Sequence, residues 1–176
     1  MQPPGVDTAA PLPRGDGKDS TMKVTGYKLQ HTLRELSHTR DIAAGQFDSS
    51  LKFFPGDEKG DPKAVMAAYL EAEAKIARLQ TGQALYNLKV QVDVLGKRMT
   101  LSEAVKLVGG AGRAEKMWRS VAAPKKDPII AQRTITPMEA AALAKEAARW
   151  ASALREAIQT GNAVEVEIEL DTALFE

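Results

Sequence analysis

The sequence has no cysteine. Disulfide staples, cysteine-ligated zinc and thiol nucleophiles are therefore excluded. Only two histidines are present, and aromatics are sparse: two tryptophans, three tyrosines and four phenylalanines in 176 residues. No Gly-x-Ser-x-Gly, His-Glu-x-x-His, Walker or dinucleotide-binding fingerprint occurs. No apolar run reaches the roughly 18 residues that span a bilayer, and the N-terminus lacks the apolar core of a secretory signal. Net charge is only +1, so no global field favours a polyanion, and DNA is not an expected partner. These absences leave a soluble cytoplasmic protein without membrane contact as the expectation. They also point away from an enzyme and from a bound metal or cofactor.

What is present is alanine-rich helical periodicity. Alanine faces let helices approach closely but bury little area each, so such a fold needs long contacts or several chains. Residues 1–22 are rich in Pro, Gly, Asp and Lys without periodicity and are expected to form a disordered leader, with Met22 a candidate alternative start. Residues 23–176 are expected to form one mainly α (α+β) domain. From 27 to 54, Leu29, Leu33, Leu36, Arg40, Ala43, Phe47, Ser50 and Phe54 alternate steps of four and three, the seam of a coiled coil or helical hairpin. Arg40 occupies an apolar position; it either pairs with a carboxylate on a partner helix or awaits an anionic ligand. His31 and His38 are seven apart, a spacing that suits packed or solvated histidines better than metal ligands.

Pro55-Gly56 ends this helix. Asp61-Pro62 opens the next, with Asp61 as N-cap and Pro62 at the first helical position. Its stripe is Val65, Tyr69, Ala72, Ile76, Leu79 and Tyr86. A short loop between two long patterns predicts an antiparallel hairpin over 27–54 and 62–87, long enough to leave an apolar flank exposed unless another element or subunit covers it. A homo-oligomer built through this hairpin is the expectation.

Residues 88–100 read as strand and turn. Leu88, Val90, Val92 and Val94 alternate with polar residues, although a continued helix is the alternative. Thr100 and Glu103 have capping-box spacing, with Ser102 a rival cap, and start a helix over 101–123 that Gly109-Gly110-Ala111-Gly112 is expected to interrupt. Lys125 and Lys126 form a basic loop. Thr136-Pro137-Met138-Glu139 caps a further helix over 137–160, closed by Gly161. Residues 163–170 alternate valine, isoleucine and leucine with glutamate, a strand expected to pair with Leu88–Val94 so that Lys89 faces its acidic side. The whole is therefore a long hairpin, two further helical segments and a small β-sheet.

One stretch carries chemical potential. Interrupting glycines expose backbone amides, and a helix start just beyond them favours an anion. Gly109, Gly110, Gly112, Arg113, Lys116, Trp118 and Arg119, with Lys97 and Arg98 nearby in sequence, form the candidate ligand-binding set. Tyr86, Trp118 and Trp150 could supply a stacking surface for a base. The first functional expectation is a non-catalytic oligomer that sequesters or senses a small anionic ligand such as a nucleotide. A phage-type sponge for a nucleotide immune signal fits that description. The alternative is a structural or interaction protein that binds a partner through its apolar seam.

The order of features resembles a group of small bacterial and phage-borne helical proteins labelled septicolysin-like. The likeness rests on the helical pair ending at Asn87, on Gly96-Lys-Arg-Met-Thr-Leu-Ser-Glu-Ala104, and on the last helix running into Gly161-Asn-Ala-Val-Glu-Val-Glu167, and it covers roughly residues 27–170. It implies a helical architecture but brings no catalytic set with it. The Gly109–Arg113 segment departs from the pattern of that group.

Overall fold

The computed structural model describes residues 21–56, 58–123 and 134–175. The leader up to residue 20 and the basic loop with Lys125 and Lys126 lie outside these. The described residues are mainly α, with a small β part. In order they form β1 (Thr21–Thr25), α1 (Gly26–Ser50), α2 (Pro62–Lys89), β2 (Gln91–Val94), β3 (Lys97–Thr100), α3 (Leu101–Ala122), α4 (Pro137–Ala163), β4 (Glu165–Glu169) and a closing 3-10 turn at Thr172–Phe175.

The first seam behaves as its spacing dictates. Leu29 and Ala43 on α1 and Ala72, Ile76, Leu79 and Tyr86 on α2 are buried, and the two helices run antiparallel. Arg40 finds a carboxylate on the facing helix: its Nη1 donates to Glu73 Oε1 at 3.4 Å, and the Tyr69 hydroxyl donates to the same oxygen at 3.2 Å. Nη2 also meets Asp41 Oδ1 at 2.8 Å. The arginine thus ties α1 to α2 at the partly exposed edge of the seam. α1 ends at Ser50, so Phe53 and Phe54 fall beyond the helix that the sequence extends to 54.

A second antiparallel hairpin, α3 with α4, stands beside the first. Both helices start in full capping boxes: Thr100 with Glu103, and Thr136 with Glu139. Each box satisfies two otherwise orphaned amides and is worth roughly 1 kcal/mol. The hydrogen bonds from Thr136 hold the Glu139 carboxyl below its ordinary pKa. Leu101, Ala104 and Ala111 on α3 face Ala140, Ala144, Ala151 and Leu154 on α4. α3 is one unbroken helix, which corrects the expected interruption at Gly109–Gly112. Glycine inside a helix costs only about 1 kcal/mol relative to alanine, and the seam on both sides of the segment outweighs that.

α4 likewise runs past Gly161 to Ala163. Gly161 is not the expected stop. It is buried against β2 and α3, where a Cβ would lie 2.9 Å from Val92 Cγ1 and 3.0 Å from Leu101 Cδ1. Closeness, not chain reversal, selects glycine here.

The strands pair differently from the sequence expectation. Helix α2 continues through Leu88 to Lys89, and only Gln91–Val94 is strand. β2 turns back onto β3 through Leu95 and Gly96, both at positive φ (53° and 80°). That is the two-residue hairpin turn whose twist suits flanking strands, and Asp93 Oδ1 accepts from Gly96 N at 2.9 Å. β4 therefore does not pair with β2. It pairs antiparallel with β1, Met22 opposite Ile168 and Val24 opposite Val166. Thr21 and Met22 accordingly belong to the fold rather than to the leader. The cation opposite the acidic face is Lys23, across from Glu167, while Lys89 Nζ donates to the Glu167 carbonyl at 2.9 Å.

All of these joins occur at one end of the molecule. Val24, Leu29, Leu79, Tyr86, Val92, Val94, Leu101, Leu154, Ile168 and Leu174 form a single core where the ends of both hairpins meet the strands. Buried residues farther out, such as Ala43 and Ile76 in one hairpin and Ala140 and Ala144 in the other, lie outside it. Each hairpin is closed there by its own seam.

The clasp between the hairpins is polar as well as apolar. The Tyr86 hydroxyl lies 2.7 Å from the Gly161 carbonyl oxygen and 2.6 Å from that of Val164, with one proton to share between them. Gln30 Nε2 donates to Asn162 Oδ1 at 3.3 Å, and Asn162 is buried. The Tyr27 hydroxyl donates to the Gln159 carbonyl at 3.0 Å.

Candidate functional site

The unbroken α3 changes the geometry of the glycine–arginine set. No loop presents free amides at Gly109–Gly112, and no helix begins at Arg113, so the backbone part of an anion cradle is absent. A helix of 22 residues is about 33 Å long at 1.5 Å per residue. Lys97 and Arg98 lie before its first turn and Arg119 lies in its last, too far apart to meet on one small molecule.

The individual side chains have other roles. Lys97 Nζ lies 5.6 Å from the Trp150 ring centroid, a cation–π contact at the start of the second hairpin. Arg98 stands opposite Asp93 across the β2–β3 ladder. Arg119 Nη2 meets Glu115 Oε1 at 2.7 Å, one turn back on the same helix. Trp118 is half-buried on the side of α3 that faces α4. Tyr86 is fully buried in the clasp, where desolvation raises its phenol pKa above 10.0. It cannot join Trp118 and Trp150 in a stacking surface.

Two contacts do gather cations over the glycines. Arg113 Nη1 lies 3.6 Å from where a Cβ of Gly109 would be, and Arg155 Nη2 lies 3.6 Å from that of Gly112. Gly110 has nothing within 4 Å, and Lys116 is exposed on the same helix. Arg155, on α4, was missing from the sequence-derived set. No local pattern gives it away, because only the tip of its long side chain reaches Gly112 across the packed helices. The result is an open cationic strip.

Other chemistry is scarce. His31 Nε2 meets Glu35 Oε1 at 3.2 Å on an exposed face, and His38 is exposed. Among the described residues no group of His, Asp and Glu is placed to hold a metal ion, and no helix is long and apolar enough to cross a membrane. A recess of about 400 Å³ lies between the β2 turn and α4, but Asp93 and Glu156 line it and would repel an anion.

A further feature among the described residues lies at the free end of the first hairpin. Ala43, Ala44, Phe47, Val65, Met66 and Tyr69 enclose a recess of about 250 Å³. Phe47 and Met66 also line a second, open recess of about 430 Å³ together with Pro62, Lys63, Ala67 and Leu70. The two adjoin at Phe47 and Met66. Around the same end Phe54 is 80% exposed, Leu70 58%, Leu51 56% and Phe53 54%. Met66 and Leu70 fall outside the seam spacing of α2, which is why seam reading passed over them. Neither family models, nor curated proteins, nor solved structures gave a match to this chain.

Proposed function

We propose that this chain is a non-catalytic interaction protein whose working surface is the apolar free end of the α1–α2 hairpin. The supporting observation is the pair of recesses lined by Phe47, Met66 and Leu70, with Leu51, Phe53 and Phe54 exposed in the loop at the same hairpin end. Exposed apolar patches of this kind mark sites where another protein docks. The clasp end holds the fold together and leaves this end open for a partner. The long, alanine-lined hairpin then acts as a spacer that carries the docking end away from the clasp.

A second reading, binding of a small anion such as a nucleotide, draws on Arg113 and Arg155 beside the α3 glycines. It fits the cations but lacks an enclosing wall in a single copy of the chain.

One experiment separates the two. Native mass spectrometry of the tagged protein from its own cells is expected to show an assembly with protein, and Leu70→Lys is expected to release it. Leu70 is exposed, so the substitution should change stability by no more than about 0.5 kcal/mol. A wild-type chain that runs alone, carrying only a small anion lost in Arg113→Ala/Arg155→Ala, would overturn the first reading in favour of the second.

A further inference from the structure

We propose that the free edge of β2 takes up an extended, basic peptide segment of a partner protein as an additional strand. This goes beyond the docking reading above, because the site lies at the clasp and not at the free end of the first hairpin. The hydrogen-bond parity of β2 is the first support. The two-residue turn at Leu95 and Gly96 makes Val94 and Lys97 the bonded pair that closes the hairpin. Bonded pairs then alternate, so Val92 bonds Met99, while Asp93 and Arg98 face each other without backbone bonds. One step further along the same ladder, Leu101 N–H donates to the Val90 carbonyl at 2.9 Å, as this parity requires. The N–H and C=O groups of Gln91 and Asp93 therefore point away from β3. Among the described residues no strand pairs with β2 on that side and no backbone group bonds them there.

That edge opens on a cavity. The recess of about 400 Å³ is lined by Gln91, Val92 and Asp93 in succession and by no residue of β3. Successive side chains of a strand point to opposite faces, so a recess that touches all three follows the backbone edge. Its facing wall is α4, where Ala153, Ala157 and Gly161 recur every four residues and present little bulk. The volume is within the range of ligand pockets, about 300–1,000 Å³. An incoming strand pairs its main chain with Gln91 and Asp93 and alternates its side chains between the two faces. An apolar side chain on the Val92 face meets the alanines of α4, and its neighbour on the other face stands beside Asp93. Charge then selects the occupant. Asp93 and Glu156 are the charged residues that line the recess, and both are exposed carboxylates. Glu156 has no ion-pair partner among the described residues. Arg98 stands across the ladder from Asp93 but does not line the recess. Lysine or arginine at alternate positions of the incoming strand is favoured, and glutamate is repelled.

The probe is a fluorescein-labelled Lys-Val-Lys-Val-Lys peptide amide, titrated against the purified full chain by fluorescence anisotropy. So short an edge corresponds to weak binding, with a Kd on the order of 100 µM. A Glu-Val-Glu-Val-Glu peptide, and the lysine peptide N-methylated along its main chain, should each bind at least about 10-fold more weakly. Gln91→Pro should weaken binding of the lysine peptide to the same degree and keep the fold, because the N–H it removes faces away from β3 and proline is tolerated at strand edges. Amide hydrogen exchange places the contact. In the free chain Gln91 and Asp93 should exchange faster than Val92 and Val94, and the lysine peptide at about 1 mM should slow both about 10-fold. Absence of binding at about 1 mM, or equal binding of the N-methylated or the glutamate peptide, overturns the inference. So does protection of Gln91 and Asp93 in the free chain, which would mean that another part of the protein or a second copy already covers the edge. Loss of peptide binding in Leu70→Lys with Gln91→Pro without effect would move the contact to the free end of the first hairpin and overturn it as well.

Discussion

Replacing Tyr86 with alanine is expected to remove about 5 kcal/mol of stability and, with it, the single cooperative unfolding transition. Truncating a buried aromatic to alanine costs about 3–5 kcal/mol through lost burial and a residual cavity. Here the loss also removes the one hydroxyl shared by the Gly161 and Val164 carbonyls; the Gly161 oxygen keeps the Val164 N–H at 3.2 Å, so the Val164 oxygen is the acceptor that loses its donor. A buried acceptor left unsatisfied adds about 1–3 kcal/mol. The total rivals the whole stability of a modest domain, about 5–15 kcal/mol. Tyr86→Phe isolates the polar part and should cost about 1–3 kcal/mol. Burial raises the folded-state pKa of this phenol above its ordinary 10.0. Its contribution is therefore complete below pH 10.0 and is lost as pH climbs through the folded value. Urea titrations followed by tryptophan fluorescence at neutral and alkaline pH check both points. A Phe variant with wild-type stability and an unchanged alkaline profile would show that Tyr86 is not the clasp.

Gly26→Ala should be nearly as damaging, at about 3 kcal/mol, an overpacking cost. The first residue of α1 lies directly under α4. An added methyl would overlap Asn162 Oδ1 and lie 2.9 Å from Tyr86 Cε1 and 3.1 Å from Asn162 Cα. The last of these is backbone and cannot swing aside. Gly110→Ala is the matched control, because nothing lies within 4 Å of its Cβ position. Removing an exposed glycine from a helix interior should stabilise the protein by about 0.5–1 kcal/mol. The two changes are chemically identical and are expected to have opposite signs. Melting curves of the pair decide it, and two destabilising substitutions would mean that α3 is not continuous at Gly110.

The contrast also explains which parts of this fold could be read in advance. The seams were legible because steps of three and four at Leu29 to Ser50 and Val65 to Tyr86 leave helical hairpins as the economical solution, and Arg40 on that seam duly found Glu73. The start of β1 was hidden in a polar leader, since five residues with two apolar ones hardly register as a strand. Its pairing with β4 joins residues 140 to 148 apart, which no local pattern reports. The glycines misled for a physical reason. Sequence weighs their local helix cost, whereas the outcome depends on the seam that continues on either side. Gly26 and Gly161 had no local signature either, because what they avoid is a side chain or backbone brought in from elsewhere. Arg155 reaches the glycines only through the α3–α4 alignment. The apolar free end was visible as composition, in Phe53-Phe54 and Met66, but not as a pair of recesses.

That free end can be tested in place. A photoreactive residue at position 54 or 70, expressed in the protein's own cells, is expected to give a protein adduct of defined mass on illumination. The same residue at position 113 or 155 should give none. Adducts from 113 and 155 with silence at 54 and 70 would mean that the working surface is the cationic strip of the second hairpin and not the apolar end of the first.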